Sequence, residues 1–200
     1  MKLRGFILSL FLCGQTFAAT YIIDPAHTGV QFKIKHLMVS NVSGRFEGFE
    51  GAFDFDEKSG KLEKVTTKIN IDTIDTNEKK RDTHLKSPDF FGVRDAKNNL
   101  VSKNQYMTFT SKKVEMSGDK PTKVVGDLSM NGITKEVSLN VVYNGAAKDP
   151  WGNERIGFEA TTELKRKDFN LTWNKNLDAG GVVVGDDVKV IIEGEAIKKK

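Results

Sequence analysis

The fold is decided by the stretch Val124-Val-Gly-Asp-Leu-Ser-Met-Asn-Gly-Ile-Thr-Lys-Glu-Val-Ser-Leu-Asn-Val-Val-Tyr143. Apolar and polar residues alternate on both sides of Asn131-Gly132, which is the pattern of two strands that each turn one face towards a core. Asn-Gly is also the pair that best tolerates the positive φ angles of a two-residue hairpin turn. The stretch therefore predicts a β-hairpin with Leu128 and Leu139 directed inward.

The same alternation extends to both sides of this hairpin. Phe32, Ile34 and His36 share one face of an earlier strand, and lysines occupy its other face. Comparable runs recur towards the C-terminal end, and turns rather than helices separate them. About eight strands without a βαβ pattern predict an all-β fold, an eight-stranded antiparallel up-and-down barrel.

Two further features of the alternation carry structural predictions. The inward parity changes beside Gly48, which predicts a bulge or sharp bend where a strand turns round a barrel corner. Phe169, Leu171 and Trp173 keep the period of two, and we expect them to continue a strand.

One segment, residues 76–92, has helical rather than strand character. Asp75, Thr76 or Asn77 would cap the start of a short helix over about residues 77–86, and Pro88 would end it. Phe90 and Phe91 follow directly and need burial. The segment is therefore predicted to be a plug or lid on the barrel, and it would place Arg81, Asp82 and His84 near the mouth. Opening of this lid is a further hypothesis.

The first 18 residues differ in character from the rest. Two basic residues precede an apolar run at positions 6–13, which is too short to span a bilayer. The pattern predicts a secretory signal peptide cleaved after Ala18, because cleavage after Ala19 would put the bulky Phe17 where a small residue is required. Residues 19–200 would then form one mature domain in the periplasm.

Composition limits the partners of this domain. The chain has 31 Lys and Arg against 27 Asp and Glu, and loss of the signal segment leaves 29 basic residues, so no electrostatic footprint for nucleic acid remains. Cys13 is the only cysteine and lies in that segment, so the mature domain would lack thiols and disulfides. The basic residues 198–200 are read as a solvated end, with transient contact to an anionic membrane surface as the alternative.

Several local motifs occur in a characteristic order along the mature chain. They are Tyr21-Ile-Ile-Asp24 with His27, Arg81-Asp-Thr-His-Leu85 with Ser87-Pro-Asp-Phe-Phe91, Gly126-Asp-Leu-Ser-Met-Asn-Gly-Ile-Thr-Lys135, and Lys167-Asp-Phe169 with Trp173-Asn174. Together these motifs resemble the YceI-like family. The resemblance implies a lipocalin-like barrel, commonly periplasmic, whose elongated cavity binds a polyisoprenoid, an isoprenoid quinone or a fatty amide. The chain departs from the family pattern at Asn170, where members usually have glycine, and this puts the geometry of the mouth in question.

Evidence for an enzyme is weak in this sequence. It contains no glycine-rich phosphate loop and no Gly-x-Ser-x-Gly motif. The three histidines, His27, His36 and His84, lack the spacing of a metal-binding helix, so no metal site and no covalent cofactor is predicted. A catalytic acid and base cannot be named either, and the chain is predicted not to be an enzyme.

The predicted function is to carry or sequester a long apolar lipid inside the barrel. The contact residues would be Phe32, Ile34, His36, Phe53, Arg81, His84, Phe90, Phe91, Phe109, Leu128, Leu139, Phe158 and Trp173. Arg81 or His84 would lie near the head group, since a guanidinium binds a phosphate or carbonyl group well. Small residues on the inward faces, namely Gly51, Gly126, Ala160 and Gly194, favour a cavity.

Alternatives remain open at several of these positions. Arg81 and Asp82 could form a structural ion pair that holds the plug, and His36 could be a satisfied interior histidine. An eight-stranded barrel is also narrow enough to be filled by its own side chains. In that case the chain would be a non-catalytic stress-response or interaction module with a filled core. The sequence leaves a homodimer open as well.

Overall fold

The computed structural model describes residues 18–178 and 180–200. Its strands are β1 (Ala19–Ile23), β2 (Gly29–His36), β3 (Ser40–Phe46), β4 (Phe49–Asp56), β5 (Lys61–Asn70), β6 (Ile74–Asp75), β7 (Tyr106–Ser117), β8 (Lys120–Met130), β9 (Ile133–Lys148), β10 (Glu154–Lys165) and β11 (Val184–Lys198). The α-helix α1 (Lys79–Lys86) lies between β6 and β7, and short 3-10 helices occur at Pro25–His27, Ile71–Thr73, Ser102–Asn104 and Arg166–Phe169.

Eight strand positions close into an antiparallel ring. β1 pairs with β4 on one side and with β11 on the other, and β5, β7, β8, β9 and β10 complete the circle in chain order. β1 and β2 pair with different parts of β11, so together they occupy one position of the ring. β3 and β4 pair with β2 and β1 respectively, and together they occupy the next position. The predicted eight-stranded up-and-down barrel with one short helix is therefore confirmed.

The hairpin at Asn131-Gly132 has the predicted geometry. Met130 pairs with Ile133 across the turn, and Asn131 and Gly132 have φ angles of 53° and 74°. Both residues tolerate this left-handed region, so the turn joins β8 and β9 in the register that directs Leu128 and Val137 inward.

The change of parity beside Gly48 corresponds to a sharp bend between β3 and β4. The Gly48 amide donates to Thr73 Oγ1 at 2.8 Å, and a Cβ at Gly48 would lie 2.9 Å from Thr73 Cγ2. Glycine is therefore required where the chain turns this corner of the barrel.

The helix is shorter than predicted, and its cap is a different residue. It begins at Lys79 because Glu78 accepts from the amides of Lys80 at 3.1 Å and Arg81 at 2.6 Å. The predicted caps Asp75, Thr76 and Asn77 were wrong: the longer Glu78 side chain reaches two amide groups that these residues do not reach. Ser87 before Pro88 is extended and ends the helix as predicted.

The predicted strand through Phe169, Leu171 and Trp173 was wrong. Residues 166–169 form a 3-10 helix, and Asn170 follows in the left-handed region with φ 59°. The buried Arg166 guanidinium donates to the carbonyl groups of Gly185 at 2.8 Å, Leu171 at 2.5 Å and Trp173 at 2.8 Å. These bonds replace a strand ladder, so residues 171–173 pass across the end of the barrel.

The segment between β5 and β7 lies beside the outer edge of β3. β3 pairs beyond β2 only with β6, through Arg45 and Phe46. The residues after β6 lie beside this gap, and a Cβ at Gly44 would be 2.8 Å from Thr76 Cγ2. Phe91 contacts the Phe46 ring at a centroid distance of 6.3 Å. The segment is thus placed as a plug, as predicted.

The two ends of the barrel are packed differently. One end, called here the closed end, is filled by the buried side chains of Tyr21, Phe55, Ile156 and Ala196. Burial, together with the hydrogen bond to Glu57, raises the pKa of the Tyr21 hydroxyl. The other end, called the mouth, lies beside α1 and the segment that follows Arg166.

The predicted signal peptide lies, except for Ala18, outside the described residues. Among the described residues, no helix combines the length and the apolar character needed to cross a membrane.

Candidate ligand cavity

Two adjoining chambers occupy the barrel interior. The deep chamber, of about 160 Å³, lies towards the closed end, and the outer chamber, of about 270 Å³, lies towards the mouth. Both are lined by Phe32, Phe46, Met107, Leu164 and Val190. Only side chains therefore separate the chambers, and together they fall in the range of roughly 300–1,000 Å³ that is typical of ligand pockets.

The inward alternation of the strands builds the deep chamber. Six of the thirteen predicted contact residues line it: Phe32, Phe53, Phe109, Leu128, Leu139 and Phe158. Their faces are those predicted from the period of two. Among the residues that line this chamber only Glu159 is charged, and it lies on the outward parity of β10 between Phe158 and Ala160.

The outer chamber contains the remaining predicted residues. It is lined by Ile34, His36, Arg81, His84, Phe90, Phe91 and Trp173, and again by Phe32. All thirteen predicted side chains therefore line one of the two chambers. Their contact with a ligand stays a prediction.

An aromatic group stands at the mouth. The His84 ring contacts the Phe90 ring at 5.0 Å and the Trp173 ring at 4.9 Å, both edge to face, and Phe90 and Trp173 lie 5.1 Å apart. His84 Nε2 is 2.8 Å from Asp89 Oδ2, which fixes the imidazole ring. These three rings join α1, the residues after Pro88 and the segment beyond Arg166 across the opening.

Arg81 and Asp82 are linked through Thr76 rather than to each other. The buried Thr76 hydroxyl donates to Asp82 Oδ1 at 2.6 Å and accepts from Arg81 Nε at 2.7 Å. Arg81 Nη2 donates to the Thr76 carbonyl at 2.8 Å, and the Thr76 amide donates to Asp82 at 2.9 Å. The Arg81–Asp82 ion pair left open as an alternative is replaced by bonds from both side chains to Thr76, which lies between the two groups.

The small residues that favoured a cavity do not all contribute space. Ala160 lines the deep chamber. A Cβ at Gly126, however, would lie 2.6 Å from Phe109 Cζ, one at Gly51 2.6 Å from Ile23 Cδ1, and one at Gly194 2.1 Å from Thr28 Oγ1. These three glycines admit neighbouring side chains, so they support close packing of the wall rather than an open volume.

Several lining residues were not among the predicted contacts. Phe46, Val65, Ile69, Met107 and Val124 lie on the inward faces of their own strands, so their signal was present in the alternation. Leu62 has the opposite parity to Val65 and lines the chamber because the register between β4 and β5 shifts. Arg166 in the outer chamber had no comparable signal. Burial lowers the pKa of its guanidinium, and its role depends on carbonyl groups that only the folded chain brings together.

A cluster of possible metal ligands is instead bridged by an arginine. Carboxylate or imidazole atoms of Asp24, His27 and Glu195 lie within 4.8 Å of one another. The Arg155 guanidinium donates to Asp24 at 2.7 Å and to Glu195 at 2.9 Å. Hydrogen bonding to Arg155 and His27 holds the pKa of the Asp24 carboxyl below its usual range. The cluster therefore ties the residues before β2 to β10 and β11.

The family model for the YceI-like domain matches residues 21–196, which include every barrel strand in whole or in part. The chain belongs to the YceI-like family. Protein YceI of Salmonella newport is 40% identical to this YceI-like chain over 203 residues, and the match covers 100% of the chain and 98% of the relative.

Solved structures show the same barrel. A YceI protein of Campylobacter jejuni matches with a TM-score of 0.69 and 34% identity, over 83% of this chain and 90% of that one. A polyisoprenoid binding domain from Saccharophagus degradans matches with a TM-score of 0.60 and 14% identity, over 91% of this chain and 99% of that one. The second likeness shows the fold alone.

Proposed function

We propose that this YceI-like protein is a non-enzymatic periplasmic carrier or sequestering protein for one long apolar molecule. The ligand class is a polyisoprenoid, an isoprenoid quinone or a fatty amide. The observation that carries the proposal is the adjacency of the two chambers, which share five apolar lining residues and lie one towards the mouth and the other towards the closed end. An extended apolar chain fits this shape better than a compact molecule does.

Charge is distributed unevenly along the interior. His36, Arg81, His84 and Arg166 line the outer chamber, and the exposed Lys35 adjoins it. This arrangement supports a ligand whose tail lies deep and whose polar head lies near the mouth, since burial of an unpaired polar group in the deep chamber would cost free energy.

Arg81 is the residue best placed to contact the head group. Its Nε and Nη2 atoms donate to Thr76, which holds the guanidinium plane in one orientation. Nη1 keeps its donor capacity for an oxygen atom of a ligand in the outer chamber. A carbonyl, amide or phosphate oxygen would satisfy it.

The energetics favour reversible binding of the lipid over its permanent retention. Burial of each methylene group contributes about 0.8 kcal/mol relative to water, so a long tail strongly prefers the barrel to the aqueous phase. A bilayer offers the tail a similarly apolar environment, and the preference of the ligand for the protein over a membrane is therefore small. This balance suits reversible shielding of a lipid between membranes. The neighbouring polyisoprenoid binding domain from Saccharophagus degradans supports the proposal through its fold.

The test is native mass spectrometry of the protein secreted by its own host, followed by organic extraction and mass analysis of what is released. The matched variants are Ala160→Phe, which adds a ring to the deep chamber, and Ala147→Phe, which makes the same change at an exposed position of β9 that lines neither chamber. We expect a stoichiometric lipid adduct in the wild type and in Ala147→Phe. Ala160→Phe should retain only shorter-chain lipids or none.

Two outcomes would contradict the proposal. An apo mass that persists after incubation with prenols, quinones and fatty amides would mean that side chains alone fill the barrel, and it would favour the interaction module. Identical lipid content in both variants would mean that the adduct lies outside the deep chamber. Thermal unfolding of both variants shows whether loss of lipid reflects loss of the fold.

A further inference from the structure

The turn between β2 and β3 exposes three consecutive apolar side chains. Leu37, Met38 and Val39 are 39%, 53% and 82% exposed. The turn is tight, since the Val39 amide donates to the His36 carbonyl at 3.2 Å. A solvated turn of this kind normally carries polar residues, so its composition calls for an explanation other than folding.

The backbone of this turn makes the choice of residues more unusual. Leu37 and Met38 have φ angles of 50° and 61°, which is the left-handed conformation of both central residues in a type I′ turn. Asn-Gly is favoured there, and branched or bulky side chains are disfavoured. The Asn131-Gly132 turn of the same protein has the favoured pair. Neither local conformation nor burial accounts for leucine and methionine at this turn.

The turn lies directly at the mouth. His36, which precedes it, lines the outer chamber, and the Leu37 amide donates to the Val183 carbonyl at 2.8 Å. A Cβ at Gly181 would lie 3.5 Å from Met38 Cγ and 4.0 Å from Leu177 Cδ1. Trp173 and Val184 at the same end also line the chamber. The exposed turn is therefore part of the rim through which a ligand would pass.

Basic side chains lie on the outer surface behind the turn. Lys33 and Lys35 project outward from β2, and Lys189 is directly opposite Lys33 on β11. All three are exposed, and among the described residues none of them forms an ion pair. The nearest acidic side chains are Asp186 and Asp187 on β11, which bind Lys167 at 2.7 Å and Lys165 at 2.9 Å. Glu163 lies opposite Lys189 on β10, and Asp178 lies in the neighbouring loop. A positive surface thus adjoins the apolar turn.

We propose that residues 37–39 insert into the interface of an anionic phospholipid bilayer and that Lys33, Lys35 and Lys189 contact its phosphate groups. The mouth would then face the membrane, and a lipid would enter or leave the outer chamber without crossing water. Apolar side chains that enter the acyl boundary beside a cationic surface are the usual components of reversible membrane contact. This inference rests on the proposed carrier function and adds the surface on which the exchange occurs.

The geometry assigns this role to the mouth rather than to the C-terminal lysines. Lys198 pairs with Tyr21 at the closed end, whereas Val184 at the start of the same strand pairs with His36 at the mouth. A membrane contact through residues 198–200 would hold the mouth away from the bilayer.

The experiment measures flotation of the full chain with vesicles of phosphatidylcholine alone and of phosphatidylcholine mixed with phosphatidylglycerol. The first variant is Leu37→Asn with Met38→Gly, which introduces the favoured turn pair and removes two apolar side chains. We expect its thermal stability to match or exceed that of the wild type and its binding to mixed vesicles to fall by about tenfold or more. Lys33→Gln with Lys35→Gln should weaken binding roughly fivefold per lysine, and only to mixed vesicles.

Two single variants test whether the location of an exposed apolar side chain, and not only its apolar character, determines vesicle binding. Val39→Asn removes an exposed valine at the mouth, and Trp151→Asn removes an equally exposed apolar side chain from the β9–β10 turn at the closed end. Only the first should reduce flotation. Equal flotation of the wild type and the Leu37→Asn, Met38→Gly variant would overturn the proposal, and so would a dimer that dissociates in that variant, since a second copy would then cover the turn.

The lipid content of each variant is measured on the same samples by native mass spectrometry. If the Leu37→Asn, Met38→Gly variant binds vesicles as the wild type does and retains its internal lipid, the membrane contact is contradicted but the carrier function is not. An empty barrel that still floats with vesicles contradicts the proposed cargo and leaves the contact in place. The two proposals can therefore fail separately.

Discussion

The carboxylate of Asp149 organises the turn between β9 and β10. It accepts from the Asn153 side chain at 3.0 Å, from the Asn153 amide at 2.8 Å, from the Trp151 amide at 3.0 Å and from Arg155 Nε at 2.9 Å. Hydrogen bonding to Asn153, together with that to Arg155, holds the pKa of the Asp149 carboxyl well below its usual range. Its ionised form is therefore the one that the fold requires.

This shift predicts a contribution to acid sensitivity. Because the folded-state pKa of Asp149 lies below the unfolded value of about 4, its contribution to stability is complete above that pH and is lost as the pH falls towards the folded value. Asp149→Asn should lower the melting temperature at pH 7 and should make its decline below about pH 4 shallower than in the wild type. Thermal unfolding followed by circular dichroism across this pH range provides the measurement.

Asp178→Asn is the control, because the exposed Asp178 side chain forms no hydrogen bond or ion pair with the part of the chain that the structure describes, and its replacement should leave the whole profile unchanged. A profile of Asp149→Asn that runs parallel to the wild type would show that this carboxylate does not contribute to acid unfolding.

Asn170 shows how one departure from the family pattern fits the structure. Where family members usually have glycine, this chain has asparagine at φ 59°. Asparagine is the non-glycine residue that most readily adopts the left-handed region, because its short polar side chain can bond locally. The departure therefore leaves the backbone path at the mouth intact.

The plug segment is held by one buried hydroxyl group. Thr76 is 5% exposed, and its side chain both donates to Asp82 and accepts from Arg81. Both partners lie on α1, so this hydroxyl connects the helix to the residues directly after β6. The helix itself is short and polar, and isolated helices of this length are not stable in water.

Thr76→Val should therefore destabilise the plug more than a surface change does. The valine keeps the shape of threonine but leaves Asp82 and Arg81 each without one hydrogen bond, which costs about 1–3 kcal/mol for groups removed from water. Urea unfolding at neutral pH measures this loss. Thr83→Val is the matched control, because Thr83 is exposed and bonds only the Lys79 carbonyl within the helix. Equal stability of the two variants would show that the Thr76 hydroxyl does not hold the plug.

The strands and the hairpin were predictable because their signals are local. A period of two, an Asn-Gly pair and a parity change at Gly48 each act over a few residues, and the inward faces follow from them. The capping residue of the helix was harder to predict, since Glu78 competes with three shorter residues for the same amide groups.

The segment after Phe169 could not be predicted from its alternation. Phe169 and Leu171 are buried as the pattern implies. Phe169, however, ends a 3-10 helix, and Leu171 belongs to no strand. The carbonyl groups of that segment bond the guanidinium of Arg166, a contact that depends on where β11 begins. The cavity itself was only partly predictable, because the glycines on the inward faces admit side chains whose positions are set by neighbouring strands.

The barrel as a whole should respond unevenly to loss of a ligand. At the closed end, the fully buried Tyr21 and Ala196 line neither chamber. The plug and the segment across the mouth instead surround the outer chamber. We expect hydrogen exchange of residues 77–92, 171–178 and 180–184 to accelerate after lipid extraction, while exchange of the Tyr21 and Ala196 amides stays unchanged. Mass spectrometry of the extracted and lipid-loaded protein makes this comparison.

Reloading the extracted protein with lipid is the control, and it should restore slow exchange at the mouth. Unchanged exchange of residues 77–92 on extraction would show that the plug does not depend on cargo and would count against opening of a lid. Uniform acceleration in all strands would instead indicate that the lipid stabilises the whole fold.

Closure of the ring by the first and last strands also has a consequence for biosynthesis. Tyr21 pairs with Lys198 and Ile22 with Ile197, so the contact that completes the circle joins residues from opposite ends of the chain. Because synthesis begins at the N-terminus, the growing chain cannot form this contact until β11 has been made. Pairings between residues so distant in sequence also form slowly. Until then the sheet has two free edges. The closed barrel therefore forms only after β11 has been synthesised, late in the production of the chain.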